Sequence, residues 1–277
     1  MKDIRNRIVL TRRLAGRIQG FFADLPEEAL CRPSACDLWE VRDVLGHLIG
    51  GAERQIDSVR RGLQGDASPA PGFVPMDAAT LSSTNAQRDI ERRERLGNQL
   101  LPAFAARYQE LGELLGGLAP EDWAASCWHP RRGVMTAREY LDLRIQELAI
   151  HDWDIRSAFE PEAGLDPESL PVLLDIAPAW LRMTFRPGTK LDKPVVFRFD
   201  LKGAAGRRHD VVVQGDEFQV VRAGKARAGV SLGCDSGSYL LYVYGRLSAG
   251  GAAASDRLAV EGDVSLLRKF EEWFKGL

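Results

Sequence analysis

The chain has 277 residues, 37 of them basic and 39 acidic, for a formal net charge of −2. With 45% hydrophobic and 27% charged residues it can bury a core, and it lacks the basic excess that binds nucleic acid. No stretch approaches the roughly 18 consecutive apolar residues of a membrane span, the opening MKDIRNRIVLTRRLAG has no secretory apolar run, and four scattered cysteines make no disulfide framework. The expectation is a cytoplasmic protein, monomer or homodimer, with small molecules as partners and neither nucleic acid nor membrane. Of the 37 basic residues only seven are lysine, a bias that a GC-rich coding genome explains more simply than selection for anion binding.

In chain order, residues 3–24 carry apolar side chains at three- and four-residue steps, including Ile4, Ile8, Ile18 and Phe22, and predict a first helix. A second runs from about Leu38 to Arg61, capped by Asp37, with Val41, Val44, Leu45, Leu48, Ile49 and Ile56 as its buried stripe. Residues 64–79, rich in Pro, Gly and Ala, predict a long loop, a place where specificity can reside. A third helix spans about 83–118, bent near Gly97 or Pro102, and a fourth begins at Thr136, where T-A-R-E forms a capping box, and ends near Phe159. Four helices with two longer connections predict a four-helix bundle over residues 1–162. Residues 163–277 read as a smaller domain: a helix over 169–184, strands at 194–201, 208–214, 217–223 and 226–234, helices at 236–247 and 263–274, and a short strand at 257–262. The fold class is α+β, with an antiparallel sheet in the second domain.

Histidine is scarce, at positions 47, 129, 151 and 209 only. Glu147 and His151, in E-L-A-I-H, share one face of the fourth helix and can converge on a metal ion, although an exposed hydrogen-bonded pair has the same spacing. His47 lies among Leu45, Leu48 and Ile49, as a satisfied core histidine or as a third ligand across the bundle. Two imidazoles and a carboxylate would leave a tetrahedral position open, as in catalytic zinc sites, and non-haem iron uses the same ligand types. His129, before Pro130 in a loop, and His209, at a strand start, read as bystanders, and nothing beside the cysteines argues for a nucleophile.

LWEVRDVLGHLIGGAERQ (38–55) and RIQELAIHDWDIRSAF (144–159) resemble the W-x-V-x-D-x-x-x-H-L and E-x-x-x-H-x-x-D segments of the mycothiol-dependent maleylpyruvate isomerase family, within the DinB-like metal-binding helical bundles. GCDSGSYLLYVYGRLSA (233–249) and LAVEGD (258–263) are similar to its sterol-carrier-like C-terminal domain. The resemblance implies His47, Glu147 and His151 as ligands of Zn2+ or another divalent metal, with mycothiol as thiol cosubstrate. It also implies Asp154 as a residue that orients a ligand imidazole or joins a network within the helix, with Trp39 and Asp43 as packing or structural matches. Arg246, in Y-G-R, and Arg222 could each hold a substrate carboxylate, with Arg144 a weaker candidate; a solvated surface arginine is the alternative for each.

The function so implied is a zinc-dependent enzyme that activates a low-molecular-weight thiol for S-transfer, thiol exchange or thiol-assisted isomerisation of a small electrophile. Two rivals stand beside it. One is a non-catalytic small-molecule or lipid binding module, motivated by the tyrosine-rich SYLLYVYG (238–245), with a structural metal. The other is a metal-dependent hydrolase, which would want a general base beside the ligands.

Overall fold

The computed structural model describes residues 2–74, 81–186, 191–203, 206–225 and 227–275. The chain divides into two compact units, Met1–Ala163 and Gly164–Leu277.

In the first unit, α1 (Lys2–Ala23), α2 (Val41–Leu63), α4 (Leu100–Gly116) and α5 (Ala137–Arg156) make the bundle, with α3 (Leu81–Leu96) lying on α2. Leu14, Val44, Leu45, Leu48, Phe104, Leu111, Ile145 and Leu148 are all fully buried. Each such side chain contributes roughly 1.5–3 kcal/mol through the area it removes from water. Helix α5 is buried on nearly every side, polar residues included: Arg144, Gln146, His151, Asp152 and Asp154 are all in the interior. A buried polar side chain needs a partner, and two of these partnerships tie α5 to a neighbour. Asp152 accepts from Arg17 of α1 at 2.8 Å, and Arg144 donates to Gln55 of α2 at 2.9 Å.

Three local features differ from the sequence expectation. Helix α2 begins at Val41 and is capped by Glu40, not Asp37, with Asp43 returning the bond to the Glu40 N–H at 2.9 Å. Residues 34–39 form a turn instead, held by Ser34 N–H to Trp39 O (3.0 Å) and Trp39 N–H to Cys36 O (2.8 Å). The expected third helix is divided by a short 3-10 turn, Gly97–Gln99, in which Gly97 has φ +50°, so of the two bend positions the chain uses the glycine. A hairpin of two four-residue strands, β1 (Ser126–His129) and β2 (Gly133–Thr136), occupies what read as loop. Strands this short carry no period to detect. The Thr136–Glu139 capping box is present, and α5 starts where it predicts. Residues 75–79 of the predicted long loop lie outside the described residues.

The second unit carries α6 (Leu170–Thr184), β3 (Val195–Lys202), β4 (Arg208–Gln214), β5 (Glu217–Arg222), β6 (Val230–Asp235), α7 (Ser236–Val243), α8 (Ala249–Ala254), β7 (Ala259–Gly262) and α9 (Ser265–Trp273). Five strands form one sheet in the order β5-β4-β3-β6-β7. The sheet is antiparallel except between β3 and β6, which run parallel because the chain leaves β5 at the edge and returns beside β3. The β4–β5 hairpin turns at Gly215, φ +67°, where expected. The aromatic rings of Phe197, Phe199, Tyr242 and Phe270 pack together on one face.

Candidate metal centre

Helices α2 and α5 run antiparallel past one another, so His47 meets the Glu147–His151 face. Glu147 Oε2 lies 3.0 Å from His47 Nε2 and 3.8 Å from His151 Nε2. The far side of each ring is held by a buried carboxylate. His47 Nδ1 is 2.9 Å from Asp89 Oδ2, and His151 Nδ1 is 2.8 Å from Asp154 Oδ2. An imidazole whose Nδ1–H donates to a carboxylate presents the Nε2 lone pair outward, the orientation that a metal ligand needs. Trp39 covers the pair, its ring centroid 4.8 Å from that of His47 and 6.0 Å from that of His151.

The electrostatics identify what the site requires. Both nitrogens of His47 face carboxylate oxygens. A neutral ring has one N–H, so one of these contacts would set a lone pair against an anion. Either a second proton or a cation must stand between Nε2 and Glu147. Burial opposes charge on His47, but the bonds to Asp89 and Glu147 outweigh it and raise its pKa above the usual value. Glu147 is held well below the normal carboxylate range: burial works against this, and the His47 bond with the charges of His47, His151 and Arg144 prevails. Asp89, also against the cost of burial, is brought to about 2, chiefly by its bond to His47. Two imidazole nitrogens and one carboxylate oxygen, all within 4.8 Å of one another, fit a divalent ion that would take the place of that proton.

The structure thus brings His47, Glu147, His151 and Asp154 together. Arg144, one turn before Glu147, is a buried cation bonded to Gln55 and, at 3.5 Å, to the Tyr108 hydroxyl. Room for it comes from Gly51, where a Cβ would fall 2.6 Å from Arg144 Nη1. Arg222 ends β5 on the surface of the second unit, and Arg246, after α7, donates to Tyr244 O at 3.1 Å.

Sequence reasoning missed two members. Asp89 is a wholly buried acid on α3, a helix otherwise so charged that it offers no stripe pointing inward. Cys36 reaches Asp154 Oδ2 from the turn before α2, with Sγ at 3.2 Å, and lies 3.9 Å from His151 Nδ1. Cys36, His151 and Asp154 form a second convergent group, on the opposite nitrogen of His151. His129, expected in a loop, ends β1 instead.

Residues 11–156 match the mycothiol maleylpyruvate isomerase N-terminal domain family, and residues 192–275 match the SCP-2 sterol transfer family. Among solved structures, the chain is similar to a mycothiol-dependent maleylpyruvate isomerase at TM-score 0.66 and 13% identity, over 94% of both chains. A histidine-to-alanine mutant of such an isomerase is similar at TM-score 0.64 and 14% identity, also over 94% of both chains. No curated protein matches the chain significantly. At such identities the structural likeness speaks for the fold, whereas the domain match covers more than half of the chain: the protein belongs to the mycothiol maleylpyruvate isomerase N-terminal domain family, with an SCP-2-like C-terminal region.

Proposed function

We propose that the protein is a zinc-dependent enzyme that uses a low-molecular-weight thiol, mycothiol on the family's name, to act on a small electrophile. The observation that carries this reading is the His47–Glu147 contact, which needs a second proton or a cation and stands beside a second imidazole already oriented to share an ion. His47 Nε2, Glu147 Oε2 and His151 Nε2 would hold the ion. Zinc there supplies a Lewis acid that keeps an incoming thiol deprotonated at neutral pH.

The remaining work falls to the chain. Asp89 and Asp154 keep the Nδ1 protons, so both Nε2 lone pairs face the same point. Trp39 shields the imidazoles from bulk water, which strengthens each charge interaction beneath it. Arg144 keeps positive charge beside Glu147, so that carboxylate stays ionised. Cys36 donates to Asp154 and fixes the oxygen that holds His151. Arg246 and Arg222 are the guanidiniums of the second unit assigned in this reading to substrate binding, and Arg→Met substitutions at each should raise KM.

The test pairs metal analysis with a thiol screen. Purified protein should hold one zinc per chain and His47→Ala none, with an unchanged circular dichroism spectrum. Turnover of an electrophile panel should require mycothiol and fail with glutathione or no thiol. Stoichiometric zinc in His47→Ala overturns the ligand assignment. Turnover without thiol replaces thiol chemistry with hydrolysis, and a co-purified lipid with no turnover replaces both with a binding module.

A further inference from the structure

Beyond the metal ligands, α2 and α5 continue side by side toward the β1–β2 hairpin. Arg54 lies seven residues after His47 on α2, and Tyr140 seven before Glu147 on α5. Each is therefore two turns along the same face, about 10 Å from its ligand. The helices are antiparallel, so Arg54 and Tyr140 fall at the same end. The hairpin closes that end with His129, whose ring stands edge-on to Tyr140 at 5.4 Å and 82°.

The tautomer of His129 is set by the backbone. The N–H groups of Arg131 and Arg132, in the hairpin turn, both donate to His129 Nδ1 at 3.2 Å. With Nδ1 occupied as an acceptor, the ring proton is on Nε2. Burial pushes the imidazole down to about 3, further than Glu147 can offset, so the ring stays neutral and Nε2–H remains a donor. Among the described residues that N–H has no acceptor. Arg54 and Arg131, both half-buried, likewise have no acceptor among the described residues. Burial and the neighbouring Arg88 bring Arg54 to about 10, with Asp89 and Tyr140 offsetting them only in part. Arg92, by contrast, is paired with Asp89 at 2.7 Å.

We propose that His129 Nε2–H, Arg54 and Arg131 form a carboxylate-binding subsite at the hairpin end of the α2–α5 face, which holds the distal end of the electrophile. This deepens the proposed function and rests on it for the identity of the bound molecule. Two guanidinium forks and one neutral N–H suit a planar two-oxygen anion, each oxygen taking a charged and a directional donor. The neutral histidine keeps its donor across the physiological pH range, which an imidazolium switch would not. His129 and the two arginines are binding residues in this account, with no proton to give.

Calorimetry on the full chain, both zinc-loaded and chelator-treated, tests the subsite apart from the metal. The probes are succinate, the uncharged succinamide of similar size, and inorganic phosphate. Succinate should bind both forms, and succinamide neither. Arg54→Met, Arg131→Met and His129→Ala should each weaken succinate by about tenfold or more, while His129→Gln, which keeps an N–H near the Nε2 position, should stay within about threefold of wild type. Zinc stoichiometry should be unchanged in all four variants. Equal binding of succinamide, or wild-type affinity in Arg54→Met and His129→Ala, overturns the subsite. Phosphate binding more tightly than succinate overturns the carboxylate assignment. Loss of zinc from wild type, with succinate binding intact in the chelator-treated form, would fail the metal reading and leave the subsite standing.

Discussion

Asp89→Asn isolates the group that the metal reading depends on and that touches no ligand atom of the metal. Asp89 is fully buried, and its two oxygens serve three donors: Oδ2 accepts from His47 Nδ1 at 2.9 Å, and Oδ1 from Arg92 Nη1 at 2.7 Å and, at a longer 3.4 Å, from Arg88 Nε. An asparagine has one oxygen and one NH2, so one of these donors must face another donor. If the amide NH2 meets Nδ1, the ring proton moves to Nε2 and the lone pair meant for the metal is lost. If the oxygen meets Nδ1, Arg92 is left opposite an amide and the ligand imidazole loses the full negative charge that makes it basic. Either arrangement should weaken zinc by about 10- to 100-fold, the range for removing such a carboxylate, or roughly 1.4–2.8 kcal/mol. Competition against a chromophoric chelator at neutral pH measures this, with circular dichroism as the check on folding. Arg92→Met separates the two bonds, since it removes the guanidinium and leaves His47–Asp89 intact, and it should cost much less. Zinc affinity in Asp89→Asn within twofold of wild type refutes the reasoning, as does an equal loss in Arg92→Met.

Other outcomes follow from the same geometry. Cys36→Ala should keep one zinc per chain by metal analysis, because Cys36 faces the Nδ1 side of His151; loss of the ion would transfer the site to the Cys36, His151 and Asp154 group. Gly62→Ala should destabilise the protein by about 1–3 kcal/mol in urea titrations, because its Cβ would press on the Ser126 carbonyl oxygen of β1 at 2.4 Å; an unchanged midpoint would mean that α2 and the hairpin are not tightly packed. His209, stacked on Phe199 and bonded to the Tyr239 hydroxyl at 3.0 Å, is brought by burial to about 4. Its folded pKa lies below its unfolded value near 6.5. The stability tied to its neutrality is therefore complete above that value and is lost as pH falls toward 4, by up to about 1.4 kcal/mol per pH unit. His209→Asn should flatten this slope between pH 6 and 5, and an identical slope in the variant would place the acid sensitivity elsewhere.

What the sequence discloses and what it hides divide along a physical line. The helices of the first unit and the strands of the second announce themselves because burial imposes a period, as Val44, Leu45, Leu48 and Ile49 do on α2 and Phe197, Phe199 and Leu201 on β3. The Glu147–His151 spacing is readable for the same reason, since both belong to one helix. The contacts between elements leave no such trace. Asp89 belongs to a helix of charged residues, and only the position of α3 against α2 shows that this acid alone points inward. The His129 tautomer depends on two main-chain N–H groups in a turn between strands of four residues, too short to carry an alternating pattern. Helix α5 joins the two kinds of information. It is buried nearly all round yet carries Arg144, Glu147, His151, Asp152 and Asp154, and charges in that position are tolerable only when each is matched. A stable bundle could have been built with apolar residues there. Retaining five ionisable groups on its most buried helix makes chemical sense if Glu147 and His151 hold an ion, Asp154 orients His151, Arg144 keeps Glu147 ionised and Asp152 ties the helix to Arg17 of α1.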